Sequence, residues 1–368
     1  MTVTSKNKKF YIRGKIKRDD GTYYNYYQLA KNCRTKKEAK AYEEEFLKQY
    51  QDIRISKTQI TFKEAFEEFI AQHKDVKNST LISKRELMRK VFPYIGDKKI
   101  NLITSAVLQK MIDDLEQKGF SVEYVKRIYY NVNQVFNYLV RTSKLQQNPM
   151  LRVTRHTKKD EIKSDIEFWE PDQFKTFISY VNEIRWNVIF NFLYFTGMRR
   201  GEMAALHWND IDMNSGLIRI NKTMSFKERP PKETTPKTKN STRNIRMPKI
   251  LFNIMIDYKE TCKKYYGFTE DFYVFGADRP VDPETLRRKL DHYILLANDD
   301  LAKQDKKLLP KIHIHSFRHS HASYLINQKM YDYDIARRLG DTVETVRNVY
   351  AHWFENAEDE IMAAFDRF

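Results

Sequence analysis

Three short stretches bring together residue types that can do chemistry on a phosphate. In "FNFLYFTGMRRGEMAALHWNDID" (190–212) an apolar helix stops at Thr196-Gly197 and a second begins around Arg199 to Glu202. Glycine permits the sharp turn, and the new helix offers free N–H groups and Arg199 at its positive end, a phosphate site in outline. A surface ion pair between Arg199 and Glu202 is the plainer alternative. In "IHIHSFRHSHAS" (312–323) His315 and Arg318 are three apart, so one helix face carries a proton-exchanging imidazole beside a permanently charged fork. The histidines 313, 315, 319 and 321 also invite a zinc ion, although neither an HExxH pattern nor a carboxylate ligand accompanies them. In "RRLGDTVETVRNVYAHWF" (337–354) Tyr350 follows Val343, Val346 and Val349 on an amphipathic helix. By itself that spacing describes a packed tyrosine as readily as a nucleophile.

The elements that must position these residues occupy the last of three regions. The N-terminal region alternates: "KFYIRGKIK" (9–17) and "TYYNYYQLA" (22–30) have strand character, and Asp19-Asp20-Gly21 between them suits a tight hairpin. A helix follows, opened by Thr35 and Glu38 in capping-box spacing, with Ala39, Tyr42 and Phe46 on its apolar face. A small sheet that presents Lys15, Lys17 and Arg18 can enter a DNA groove, as two-stranded ribbons do. From Thr61 to Met150 the periodic segments indicate four or five helices and no strand, starting at a second capping box in "TFKE". The stretch "LRVTRHTKKDEIKSD" (151–165) is polar and aperiodic, which predicts a basic interdomain linker over residues 151–166, with Arg152 and Arg155 able to lie along phosphate. The region from Phe168 onward is mixed: helices flank strands at 217–220 and 243–248. Between those strands, "NKTMSFKERPPKETTPKTKNST" is too polar and proline-containing for a helix and reads as irregular.

Charge narrows the partner. The 368 residues hold 66 Lys and Arg against 49 Asp and Glu, a net +17, and the first 60 residues alone carry 15 basic and 7 acidic side chains. A concentrated excess of this kind implies a polyanion, with nucleic acid foremost. No apolar run reaches the roughly 20 residues that span a bilayer, and "MTVTSKNKKF" lacks a signal peptide's apolar segment, so the expected location is the cytoplasm with no membrane partner. Cys33 and Cys262 are too few for a disulfide scaffold or a thiolate metal site.

Taken in order, the three stretches resemble the tyrosine recombinase family, the phage-type integrases. "TGMRRGE" is similar to the family's first arginine box, "HSFRH" to its His-x-x-Arg box, and "LGDTVETVRNVYAH" to the segment that ends in the nucleophilic tyrosine. The resemblance implies a multidomain, mainly α fold with small β-sheets: residues 1–57 as a three-stranded sheet plus helix that binds arm-type DNA sites, 58–150 as a helical SAM-like domain that binds core sites, and 167–368 as an α+β catalytic domain with a C-terminal tail. It implies that Arg199 and Arg318 clamp the non-bridging oxygens of the scissile phosphate, that Glu202 orients an arginine, and that His315 donates a hydrogen bond or handles a proton there. His319 is a supporting neighbour. Lys237, or Lys239 in its place, would protonate the leaving 5′ oxygen from "PKTKNSTRNI". Tyr350 would form a 3′-phosphotyrosyl link that conserves bond energy for religation. No metal or other cofactor is implied.

The same resemblance implies integration and excision of a mobile element by a homotetramer on double-stranded DNA, served by an accessory bending or directionality factor. The tail stripe Ile361, Met362, Phe365 and Phe368 packs either on its own domain or on a neighbouring subunit. A type IB topoisomerase-like relaxase and a DNA-binding regulator with relic boxes are the rival readings. One position departs from the pattern: where many members place His or Trp nine residues before the tyrosine, this chain has Asp341. A carboxylate there repels a phosphodiester, and its spacing from Glu344 predicts a capping box at the start of the tyrosine's helix.

Overall fold

The computed structural model describes residues 2–6, 9–17, 23–55, 60–73, 75–155, 167–236, 239–350 and 362. Two compact units result, residues 1–161 and 162–368. Among the described residues no helix is long and apolar enough to cross a membrane.

The first unit opens with an antiparallel sheet of β1 (Thr2–Lys6), β2 (Lys9–Lys17) and β3 (Tyr23–Leu29) in that order, followed by α1 (Lys36–Ile55). Alternation sorts its faces. Ile12 and Tyr26 are buried with Ala39 of α1, and Tyr26 donates a 2.7 Å hydrogen bond to Glu43. In the register Arg13 pairs with Tyr27 and Lys15 with Asn25, so these side chains share the other, exposed face. The Asp-Gly turn and Arg18 lie outside the described residues.

The helical half follows as α2 (Phe62–Gln72), α3 (Asn78–Ile95), α4 (Ser105–Gln117) and α5 (Val122–Arg141). Thr61 and Glu64 form the predicted capping box at α2, each side chain bonded to the other's backbone N–H. The core of this half is apolar and aromatic, with Phe62, Phe66, Ile112, Ile128 and Phe136 fully enclosed. Here the linker expectation needs correction. Met150 and Val153 are buried in that core, and the Thr154 N–H donates to Gln109 at 2.8 Å. The Arg155 guanidinium lies 5.4 Å from the centroid of the Tyr130 ring and 5.8 Å from that of Tyr129. The polar stretch therefore stays packed through 155, because apolar Met150 and Val153 alternate with its charges; residues 156–166 lie outside the described part.

In the second unit α6 (Pro171–Ser179), α7 (Ile184–Thr196) and α8 (Arg200–Ala204) lead into β4 (Ile211–Asp212), β5 (Leu217–Ile220), β6 (Thr223–Ser225), β7 (Lys232–Thr234) and β8 (Arg243–Arg246). Then come α9 (Lys249–Cys262), α10 (Pro283–Lys303), α11 (Ser316–Asn327), α12 (Asp332–Leu339) and α13 (Val343–Tyr350). β4, β5 and β8 form one antiparallel sheet. The segment expected to be irregular contains a hairpin instead, β6 paired with β7. Long-range polar contacts hold it: His207 lies 2.6 Å from Glu233, and Lys222 pairs with Asp210 at 2.9 Å. α7 is apolar on every side and runs through the centre of the core, with Phe190, Phe192 and Leu193 enclosed. A smaller cluster, Ala322, Ile326, Ile335, Leu339 and Val346, binds α11, α12 and α13 to one another.

Candidate active site

The first arginine box sits where α7 ends. Gly197 closes the helix in the left-handed region, at φ 62°, and a Cβ there would lie 2.7 Å from the His321 ring and 2.8 Å from Leu339. Only glycine satisfies both the dihedral and the contact. Two residues on, Arg199 is the N-cap of α8. Its N–H donates to Glu202 Oε2 at 3.0 Å and its Nη1 to Glu202 Oε1 at 2.9 Å. Glu202 thus takes up the N–H of Arg199 and one nitrogen of its guanidinium. The ion pair is not a surface one, since Glu202 is only 3% exposed.

Glu202 is shared. Arg243 on β8, also buried, reaches both of its oxygens, with Nη2 at 3.0 Å from Oε2. Burial pushes the Glu202 carboxyl upward, but Arg243 and Arg199 outweigh it and hold it below its usual range. Arg243 in turn donates from Nε to the carbonyl of Arg338 at 2.7 Å. Arg338 is half-buried: its Nε donates to His321 Nε2 at 3.0 Å and its Nη2 to the Phe195 carbonyl at 3.1 Å. Sequence reasoning missed Arg243 and Arg338. Each reads locally as a surface cation, and the local pattern holds no sign of its distant acceptors.

Arg318 lies in the first turn of α11 and is 4% exposed. Its Nη1 donates to the Gly197 carbonyl at 2.8 Å, which ties the second box to the turn that presents the first. Its Nη2 ion-pairs with Asp341 Oδ2, while the Nη2 of Arg199 ion-pairs with Asp341 Oδ1. Two guanidinium groups from separate helices therefore grip one carboxylate. This overturns the capping role expected for Asp341. The N-cap of α13 is Thr342, whose hydroxyl accepts the Thr345 N–H at 3.1 Å. Two strong ionic partners outcompete one backbone N–H for the aspartate.

His315 stands at the N-cap position of α11, where burial first, then Arg318 and Arg199, lower its pKa below the ordinary histidine value. Its ring meets that of His319 edge to face at 5.0 Å, and burial pushes His319 down to about 4. Both are neutral imidazoles at physiological pH. His321 is spoken for as well, with Nδ1 donating to the Tyr194 carbonyl at 2.8 Å and Nε2 accepting from Arg338. Among the described residues no group of three His, Cys, Asp or Glu is arranged to hold a metal ion.

Arg199, Glu202 and Asp341 line a cavity of about 400 Å³ together with Thr223, Pro236, Asn240, Ser241, Gly340, Thr342 and Thr345. Lys237 lies outside the described residues, but Pro236 before it and Asn240 after it both reach this cavity; Lys239 begins a short 3₁₀ turn. Tyr350 is the last residue of α13, the helix that starts at the cavity's Thr342 and is anchored by the buried Val346. The second unit so brings Arg199, Glu202, His315, His319, Arg318 and Asp341 together. Lys15 on β2 and Arg152 are exposed on the first unit, as is part of Arg155; Lys17 ends β2.

The sequence matches the profile of the phage integrase family over residues 167–357, more than half of the chain and all three boxes. The chain belongs to that family. The phage integrase central domain matches separately at 62–156. The chain is 29% identical to the ICEBs1 integrase of Bacillus subtilis over 287 residues, 76% of this chain and 74% of that one. It is 22% identical to the integrase of Staphylococcus phage L54a, across 71% of this chain and 79% of that one. In solved structures the Tn1549 transposon integrase in complex with a circular intermediate DNA superposes with a TM-score of 0.71 at 18% identity, covering 83% of this chain and 99% of that one. A λ integrase tetramer bound to a Holliday junction gives a TM-score of 0.56 at 14% identity, covering 92% of each chain. As a family member the chain is a site-specific tyrosine recombinase, an enzyme that breaks and rejoins DNA to integrate and excise a mobile element.

Proposed function

We propose that Arg199 and Arg318 clamp the scissile phosphate, that Tyr350 attacks it, and that Lys237 protonates the leaving oxygen. The observation that carries this assignment is the convergence of the two guanidinium groups on a single anion position beside the cavity flanked by Pro236 and Asn240. Planar forks that never lose their charge suit a phosphoryl centre whose negative charge grows toward the transition state. Glu202 and the Gly197 carbonyl hold the other nitrogen of each fork, so both arrive oriented. Neutral His315 beside them donates a hydrogen bond to a non-bridging oxygen without adding a charge of its own. The tyrosine oxygen attacks phosphorus as its hydroxyl proton passes to solvent, the bond from phosphorus to the 5′ oxygen breaks and that oxygen takes a proton from Lys237, and reversal by the partner strand's 5′ hydroxyl reseals the backbone.

The proposal extends to how the DNA is held. Lys6, Lys9, Arg13, Lys15, Asn25 and Tyr27 share the exposed face of the N-terminal sheet, a basic surface that also carries an amide and the stacked rings of Tyr11 and Tyr27, suited to a major groove. Residues 1–57 serve there as the arm-site module and 58–150 as the core-site module, with four copies of the chain meeting on DNA; the tail stripe, apart from Met362, lies outside the described residues. Covalent trapping tests the chemistry: wild type and Tyr350→Phe are incubated with nicked suicide duplexes bearing the attachment site. A protein–DNA adduct with wild type that is absent with the Phe variant is the expected result. Tight binding without any adduct would sink the assignment of Tyr350.

A further inference from the structure

The aspartate between the two arginines raises a question that the recombinase chemistry does not answer, since it fills the place a substrate anion has to take. Arg199 commits Nη1 to Glu202 and Arg318 commits Nη1 to the Gly197 carbonyl. The Nη2 groups point at Asp341, one to each carboxylate oxygen. A carboxylate and a phosphodiester each offer two oxygens to such a pair of donors. Glu202 is shared between Arg199 and Arg243, whereas Asp341 lies between Arg199 and Arg318, two like charges that repel.

We propose that Asp341 is a positioning residue that stands in for the phosphate: in the DNA-free chain it holds Arg199 and Arg318 at the spacing of one anion, and the phosphodiester takes over both Nη2 groups by displacing it. This rests on the clamp assignment made above. Displacement acts directly on the nucleophile's helix. Asp341 follows Gly340, which sits at φ 68°, and precedes Thr342, the N-cap of α13. The carboxylate that leaves the arginines therefore belongs to the corner from which the helix of Tyr350 departs. The cavity lined by Thr342 and Thr345 gives it room to turn away. Entry of the phosphate and freedom of that corner are thereby coupled through one side chain.

The test uses inorganic phosphate and the full chain without DNA, so that it stays separate from the trapping experiment. Wild type, Asp341→Asn and Asp341→Asn combined with Arg199→Gln are titrated calorimetrically with phosphate at constant ionic strength. The expected result is binding at least about tenfold tighter in the Asn variant, lost again when Arg199 is also changed. Equal affinity in wild type and the Asn variant would overturn the proposal, as would tighter binding that survives Arg199→Gln, since the anion would then sit elsewhere. If the Asn variant does not fold, hydrogen exchange on wild type decides: amides 340–345 exchange faster in phosphate than in chloride of equal ionic strength, and unchanged rates overturn the proposal. A missing phosphotyrosyl adduct would remove the clamp's assigned substrate yet leave these titrations readable.

Discussion

Arginine and histidine divide the work at this site by what each does with protons. Arg318 has two tasks in two directions, Nη1 on the Gly197 carbonyl and Nη2 on Asp341, and a lysine ammonium cannot reach both. Arg318→Lys is expected to keep the fold and lower the rate of adduct formation by roughly 10²- to 10³-fold, the cost of losing one preorganised donor to a developing oxyanion; single-turnover trapping measures it. The histidines set a stability limit instead. His321 is fully buried, and burial followed by the charge of Arg338 pushes it down to about 3. Its folded pKa is depressed, so the unfolded chain binds the extra proton. Stability is complete above the ordinary histidine value of about 6.5 and is lost as pH falls from there toward 3. All four tryptophans, at 169, 186, 208 and 353, belong to the second unit, so their fluorescence in denaturant titrations follows that unit alone. Between pH 6 and pH 4, His321→Gln is expected to flatten the decline by about 1.4 kcal/mol per pH unit. An unchanged slope would show that His321 takes up no extra proton on unfolding.

At the scale of elements, the site is an assembly of corners: the α7–α8 turn, the start of α11, and the α12–α13 turn. Gly340 forms the last of these at positive φ, and a Cβ there would lie 2.7 Å from Arg243 Nη1 and 3.0 Å from the Asn240 carbonyl. Gly340→Ala is expected to cost about 1–3 kcal/mol and to reduce adduct formation together with stability, as seen in paired melting and trapping assays. Glu202 joins the α8 corner to β8. Glu202→Gln leaves buried Arg243 without its carboxylate, and the expected loss is about 3 kcal/mol. How legible these elements were depended on where their partners lie. The capping box at Thr61 was readable because both partners fall within four residues. The β6–β7 hairpin was not, because His207 and Glu233, 26 residues apart, hold a segment with no alternation of its own. Asp341 was misread for the same reason: Glu344 is near in sequence, but its actual partners are 23 and 142 residues away.

Over the whole molecule the net charge of +17 makes DNA affinity depend steeply on salt. Arg13→Ala on the exposed sheet face is expected to reduce the slope of log affinity against log salt for arm-type DNA by about one, as fits the loss of a single phosphate contact. Filter binding across a salt series checks it; an unchanged slope would take Arg13 out of the interface. Deleting residues 1–57 is expected to abolish arm-site binding and preserve adduct formation on a core-site suicide duplex. Loss of the adduct in a folded truncation would mean that the sheet belongs to the catalytic assembly.

The sequence by itself determined the family and, with it, the reaction class, because three short boxes in order resemble the tyrosine recombinases although each alone has a plainer reading. It also determined the fold class, through helical periodicity and strand alternation, both of which are local. Tertiary structure decided how the site is held. Arg243 and Arg338, the burial of Glu202 and the seating of Asp341 between two arginines depend on charges brought together from distant parts of the chain. Ionic pairing in a partly buried corner is stronger than any preference a few neighbouring residues express, and only the folded chain reveals which charges meet.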